Sequence, residues 1–155
     1  MRLAELSPIG TRITLETLHF SADDIIRFAS KFDPQPFHLD AEAARHSVLG
    51  GLCASGWHTG SSWMKSFLSF WMKETIRLKS EGIEPPKLGP STGFRKLKWI
   101  RPVYAGDDIT YYVTLLETRP LASRPGFLLN TTFNEGVNQK GETVISFESN
   151  VLEFE

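Results

Sequence analysis

The stretch Ile13-Thr14-Leu15-Glu16-Thr17-Leu18-His19-Phe20 alternates apolar and polar residues over most of its length, the period of a half-buried strand. Ser21-Ala22-Asp23-Asp24 then supplies an N-cap serine with acids in the first turn, and Ile25, Ile26, Phe28, Ala29 and Phe32 follow at near-helical spacing. This pattern predicts a short amphipathic helix ending near Phe32. Asp33-Pro34-Gln35-Pro36 cannot continue it, because each proline lacks an amide proton and biases the residue before it away from helix. A second brief helix is predicted over 41–46, capped by Asp40, before Gly50-Gly51 breaks the pattern, so the chain from Asp33 to Gly56 reads mostly as loop.

From 57 to 79 there is no proline and one glycine, Gly60, and Trp57, Met64, Phe67, Leu68, Trp71, Ile76 and Leu78 fit one long helix. Its apolar residues spread around much of its girth, which predicts a helix wrapped by other elements rather than laid on a surface. Glu81-Gly82-Ile83-Glu84-Pro85-Pro86 is a loop by composition. Strands are predicted over 92–100, 108–118, 127–135 and 142–155, separated by turn-forming compositions that imply antiparallel pairing. One strand, helices and then four strands is an α+β order, and curling the sheet around the long helix gives the hot-dog arrangement. A cystatin-like fold and an open α+β sandwich satisfy the same periodicity.

Length and composition narrow the function classes. A chain of 155 residues is expected to form one domain over 1–155. The formal net charge of −1 and the lack of a long basic run argue against a nucleic-acid partner. The lone Cys53 cannot close an intrachain disulfide, and no Cys/His group has zinc-finger spacing, so no metal is expected and a reducing cytoplasm is the simplest compartment. Met1 to Pro8 contains an acid and a proline where a signal peptide needs an apolar stretch. The lipophilic region 57–72 is interrupted by His58, Lys65 and several serines, and predicts no membrane span.

The candidate chemistry lies in Phe32-Asp33-Pro34-Gln35-Pro36-Phe37-His38-Leu39-Asp40 and in Gly50-Gly51-Leu52-Cys53-Ala54-Ser55-Gly56-Trp57-His58. Asp33 and His38 stand five residues apart across a turn stiffened by two prolines, which can aim both side chains at one point. Addition of water to a double bond needs such a pair, since one group takes a proton from water while another delivers a proton to the adjoining carbon. A histidine ordinarily titrates near neutral pH, and a carboxylate suits the task if partial burial raises its pKa. Gly56 precedes the long helix, and its amide is among the unpaired donors of a helix N-terminus, where it can hold an oxygen as negative charge develops.

Asp33-Pro34-Gln35-Pro36-Phe37-His38-Leu39-Asp40 resembles the Asp-x-Asn-Pro-x-His-x-Asp pattern of MaoC-like and (R)-specific enoyl-CoA hydratases. Ala54-Ser55-Gly56-Trp57 is similar to that family's His-Gly-Met region, and Arg101 to Asp107 to its Pro-Val-x-x-Gly-Asp turn. Gln35 stands in place of the asparagine, and Ser55 where a histidine often precedes the glycine. The resemblance implies a hot-dog homodimer that acts on a coenzyme A or acyl-carrier-protein thioester by reversible syn addition of water. It further implies Asp33 and His38 as the water-activating pair, Gly56 at the carbonyl oxygen, and Ser55, Trp57 and Ser62 beside the substrate, with Ser61 the alternative to Ser62. No cofactor is implied apart from the coenzyme A carried by the substrate. A hot-dog thioesterase and a non-catalytic acyl-thioester binding module are the rival expectations.

Plainer roles exist for several of these residues. Asp33 can cap a turn, and His38 and His58 can be packed histidines. Asp40 reads as a helix cap, and Trp57, Trp63, Phe67, Phe70 and Trp71 read as core before they read as an acyl tunnel. Lys96, Lys98 and Arg101 are candidates for the phosphates of coenzyme A, against the ordinary reading of solvated surface cations.

Overall fold

In the computed structural model, which describes residues 1–154, a one-turn helix α1 (Leu3–Leu6) precedes strand β1 (Arg12–His19). Three helices follow, α2 (Ala22–Phe32), α3 (Pro36–Leu39) and α4 (Ala41–Arg45), and then the long α5 (Gly56–Ser80). The chain ends in β2 (Lys87–Trp99), β3 (Asp108–Pro120), β4 (Phe127–Val137) and β5 (Thr143–Phe154). The strands form one sheet in the order β1-β3-β4-β5-β2, with every neighbouring pair antiparallel. This is the hot-dog fold, in which the sheet curves about α5.

The local signals act as their chemistry requires. Ser21 Oγ accepts from the Asp24 amide at 3.1 Å and starts α2. Asp40 Oδ1 accepts from the amides of Glu42 and Ala43 at 2.9 and 3.2 Å and starts α4, the capping role expected of it. The one-turn helices α1 and α3 are too short to leave a periodic trace, and the sequence pattern predicts neither. β2 begins at Lys87, earlier than the pattern indicates, because Gly89-Pro90 sits at a bulge where the pairing with β5 shifts between Leu88 and Ser91. β2 is an edge strand, and an edge tolerates the donor that proline lacks.

The core brings Phe20, Ile25, Trp63, Ile109, Tyr111, Val144 and Ile145 together between α2, α5 and the sheet. Helix α5 is less enclosed than its composition suggests. Thr59, Ser62, Trp63 and Ser66 are buried at the spacing of one helical face, whereas Met64, Leu68, Met72 and Ile76 recur every four residues and are 45–68% exposed in the single chain. At the far end of the sheet the fully buried Glu153 accepts from the Leu3 amide at 3.0 Å and from Asn130 Nδ2 at 2.8 Å, pinning α1 to β4 and β5. Among the described residues no helix is long and apolar enough to cross a membrane.

Candidate functional site

Asp33 is the C-cap of α2, with φ −156° and ψ 68°, a non-helical conformation of the kind that the following Pro34 favours. Pro36 then occupies the first turn of α3, where its missing N–H costs nothing, and His38 lies in that same turn. The result brings Asp33 Oδ2 to 3.3 Å from His38 Nε2, with the two side chains only 18% and 8% exposed. Gln35, midway through the turn, donates its amide Nε2 to Asp33 Oδ1 at 2.6 Å.

The other face of the imidazole is fixed from a distant part of the chain. His38 Nδ1 lies 2.6 Å from the carbonyl oxygen of Cys53. A carbonyl only accepts, so Nδ1 carries the proton and Nε2 is the nitrogen turned to Asp33. Cys53 is itself held by its amide on the Phe37 carbonyl at 3.2 Å and by a bridge to Tyr104. Its thiol is pushed up to about 11, first by burial and then by the Asp33 charge, which leaves it a neutral spacer under the histidine.

Partial burial by itself raises the Asp33 carboxyl, as expected from the sequence. Hydrogen bonds from Gln35 and Ser55 and the adjacent His38 outweigh that effect, and the net direction is down. The expectation of a raised carboxyl is therefore corrected: Asp33 is an ionised acceptor at neutral pH.

Ser55 is fully buried as the N-cap of α5. Its Oγ accepts from the Trp57 amide at 3.3 Å, its hydroxyl contributes to lowering the Asp33 carboxyl, and its burial closes it off from a substrate. The Ser55 carbonyl takes the amides of His58 and Thr59 at 2.9 and 3.2 Å. Of the first-turn amides of α5, that of Gly56 alone has no acceptor among the described residues, at the positive end of the helix dipole. Gly56 is required for a reason the sequence did not show. A Cβ there would run into the indole of Trp99 from β2, so on the Cβ side of Gly56 the close approach is made by a side chain of the protein itself.

Trp57 is 53% exposed and meets Trp99 edge-on, with ring centroids 5.0 Å apart. Both line an apolar cavity of about 920 Å³ between α5 and the sheet, walled further by Phe67, Phe94 and Phe147. The cavity reaches Gly56 but not Asp33 or His38, so the pair stands beside its Gly56 end rather than within it. Ser61 lines this cavity, whereas Ser62 is buried and borders a smaller recess with Lys65 and Arg27.

His58 stacks on Phe28 at 4.6 Å and 7°, and its buried Nδ1 has no partner among the described residues. Burial pushes its pKa down, which keeps it neutral, as a packed histidine should be. Two of the expected phosphate contacts are engaged elsewhere. Lys96 pairs with Glu148 at 3.2 Å and Arg101 with Glu142 at 3.1 Å, while Lys98 has no ion pair among the described residues.

A family model described as MaoC like domain matches residues 5–126. The chain belongs to the MaoC-like domain family. It is similar over 152 residues to the uncharacterized protein YdeM of Bacillus subtilis (strain 168), at 32% identity covering 98% of each chain. The crystal structure of the MaoC-like dehydratase from Rhodospirillum rubrum superposes with a TM-score of 0.81 at 34% identity, covering 99% of this chain and 97% of that one. The (R)-hydratase PhaJ1 from Pseudomonas aeruginosa shares the fold, with a TM-score of 0.65 at 23% identity over 95% of this chain and 82% of its own. Within this MaoC-like chain, the partners that sequence reading missed are Trp99, the Cys53 carbonyl and the amide of Gln35. Gln35 and Cys53 lay inside the quoted stretches, but only the Gln35 amide was visible there as a possible donor, since a backbone carbonyl leaves no mark in a sequence.

Proposed function

We propose that this chain hydrates a trans-2-enoyl thioester to a 3-hydroxyacyl thioester and catalyses the reverse dehydration. The observation that carries this reading is the Asp33–His38 pair, 3.3 Å apart, held by Gln35 and the Cys53 carbonyl close in sequence to a helix N-terminus whose Gly56 amide has no acceptor among the described residues. Membership of the MaoC-like family supports the same reaction class.

In this mechanism a water sits against Oδ2 of Asp33 and Nε2 of His38 and donates one proton toward each. Nε2 is free to accept because Nδ1 is held protonated by the Cys53 carbonyl. As the water oxygen bonds to C3, His38 takes its proton. The electron pair of the double bond moves through C2 onto the thioester oxygen, where the Gly56 amide and the α5 dipole receive the charge. The imidazolium, stabilised by ionised Asp33, then returns its proton to C2 on the same face, and the hydroxyl stays on C3. The reaction is redox-neutral and asks for no cofactor beyond the carrier of the acyl group, coenzyme A or an acyl-carrier protein.

A homodimer fits the exposed β2 edge and the uncovered Met64/Leu68/Met72/Ile76 stripe, which association would cover. A cytoplasmic setting fits the single thiol. Incubation with trans-2-enoyl-CoA and separation of the products tests the reading. Accumulation of 3-hydroxyacyl-CoA is expected; release of free thiol assigns a thioesterase instead, and binding without either product assigns a non-catalytic module.

A further inference from the structure

Helices α2 and α5 meet near the end of β1, and a recess of about 420 Å³ lies between them. Arg27 and Lys31 line it from α2, and His58 and Lys65 from α5, each pair at a spacing that repeats on one helical face. The proposed reaction uses none of these side chains. Their charges are unbalanced. Arg27 is taken at 2.8 Å by Asp24, the one carboxylate on the wall, whereas Lys31 and Lys65 have no ion pair among the described residues. Glu16, whose charge Lys65 also feels, is already held by Ser69 and Lys73 at 2.6 and 3.0 Å, and His19 by Asp108 at 2.8 Å. Two ammonium groups that face one recess from different helices repel each other, and an anion between them turns that cost into attraction.

The rest of the wall says what else the anion carries. His58 Nδ1 is buried without a partner among the described residues. A buried N–H left unpaired is rarer than an unpaired acceptor, so the ring proton belongs on Nε2, and what His58 offers the recess is a donor. Phe28 stacks on His58, and Phe32, 68% exposed, stands 4.9 Å from Phe28, which leaves a large apolar ring at the solvent edge. The volume suits a whole small molecule and not a bare anion.

We propose that the recess between α2 and α5 binds a nucleotide-like anion, a phosphate ester carried on a flat ring, with Lys31 and Lys65 on the phosphate, His58 donating beside them and Phe32 against the ring. The site does not depend on the reaction proposed above. Phe28, Phe32 and Ser61 also line the large cavity, so the two spaces adjoin. The phosphate has two sources, a free nucleotide or the nucleotide end of the thioester's own carrier, and the contacts that hold it are the same for both.

Calorimetric titration with AMP at low ionic strength tests the site, with adenosine as the probe that keeps the ring and lacks the phosphate. AMP is expected to bind at one equivalent per chain, at least about tenfold tighter than adenosine, and to weaken as salt screens the lysines. The double variant Lys31→Ala, Lys65→Ala should lose about tenfold in AMP affinity, and both positions are exposed, so the fold is spared. Phe32→Ala should weaken AMP and adenosine by the same factor, about tenfold. An affinity for AMP no greater than for adenosine overturns the proposal, as does native affinity in the double lysine variant. So does an equal loss in Lys98→Ala on β2, because the phosphate is then drawn by surface charge in general. Saturating butanoyl-CoA separates the sources: displacement of AMP assigns the recess to the substrate's carrier, and undisturbed AMP binding assigns it to a free nucleotide. Both outcomes support the site and neither needs turnover, so an absence of enoyl hydration would sink the hydratase reading alone.

Discussion

His38 Nδ1 lies 2.6 Å from the carbonyl oxygen of Cys53, and that one bond sets which nitrogen of the imidazole faces Asp33. The proton is committed to Nδ1, and Nε2 is left to exchange a proton with a water that rests against both it and the carboxylate. His38→Ala should lower kcat by about 10² to 10⁴, the usual span for losing a general acid–base group. It also leaves the Cys53 carbonyl unpaired in the interior, at a cost of about 1–3 kcal/mol in stability. Turnover assays and urea unfolding on the same preparation separate the two effects.

Gln35→Ala should move the acid limb of activity to higher pH. The Asp33 carboxyl lies below its ordinary range in the folded protein, where the hydrogen bonds from Gln35 and Ser55, with His38, overcome the upward push of burial. A depressed folded pKa contributes stability that is complete above the unfolded value and is lost as pH falls through the folded one. Removing the 2.6 Å bond from Gln35 raises the folded value, so both activity and this share of stability should fade at a less acid pH. The pH profiles of kcat/KM and of the unfolding midpoint, native against variant, measure it. Coincident acid limbs would refute the assignment of Gln35 as the group holding Asp33 ionised.

Gly56→Ala should destabilise by about 1–3 kcal/mol through overpacking, because its methyl meets the Trp99 indole. Combining it with Trp99→Ala should recover part of that loss, and a double-mutant cycle in urea reads the coupling. Additive losses would mean that the contact relaxes without strain.

Glu153→Ala tests the far end of the sheet. The side chain is fully buried and accepts from Asn130 and from the Leu3 amide, so its removal strands two donors. A loss of about 2–5 kcal/mol is expected from the two together, with Glu153→Gln retaining more. Thermal unfolding of the three proteins gives the order.

What the sequence made legible follows from how local each interaction is. The alternation at 13–20, the Ser21 and Asp40 caps and the prolines around Asp33 act within a few residues, and each predicts the element or turn found there. The approach of His38 to Asp33 belongs to the same class, because one turn and one short helix accomplish it. Contacts made across the fold left no such trace. The Cys53 carbonyl under His38 and the Trp99 indole on Gly56 depend on where α5 and β2 come to rest. For the same reason Ser55 read as a substrate contact when it is a buried cap, and α5 read as enclosed when one of its faces is bare. A composition records how much apolar surface a helix carries, not what covers it.

The central claim is that Asp33 and His38 act together on one water. Single-turnover decay of the enoyl absorbance of trans-2-octenoyl-CoA, compared among native protein, Asp33→Asn, His38→Ala and the double variant, tests it most directly. Groups acting as a unit are non-additive, so each single variant should be nearly as slow as the double. Full native rates in either single variant, or losses that simply multiply in the double, would contradict the account.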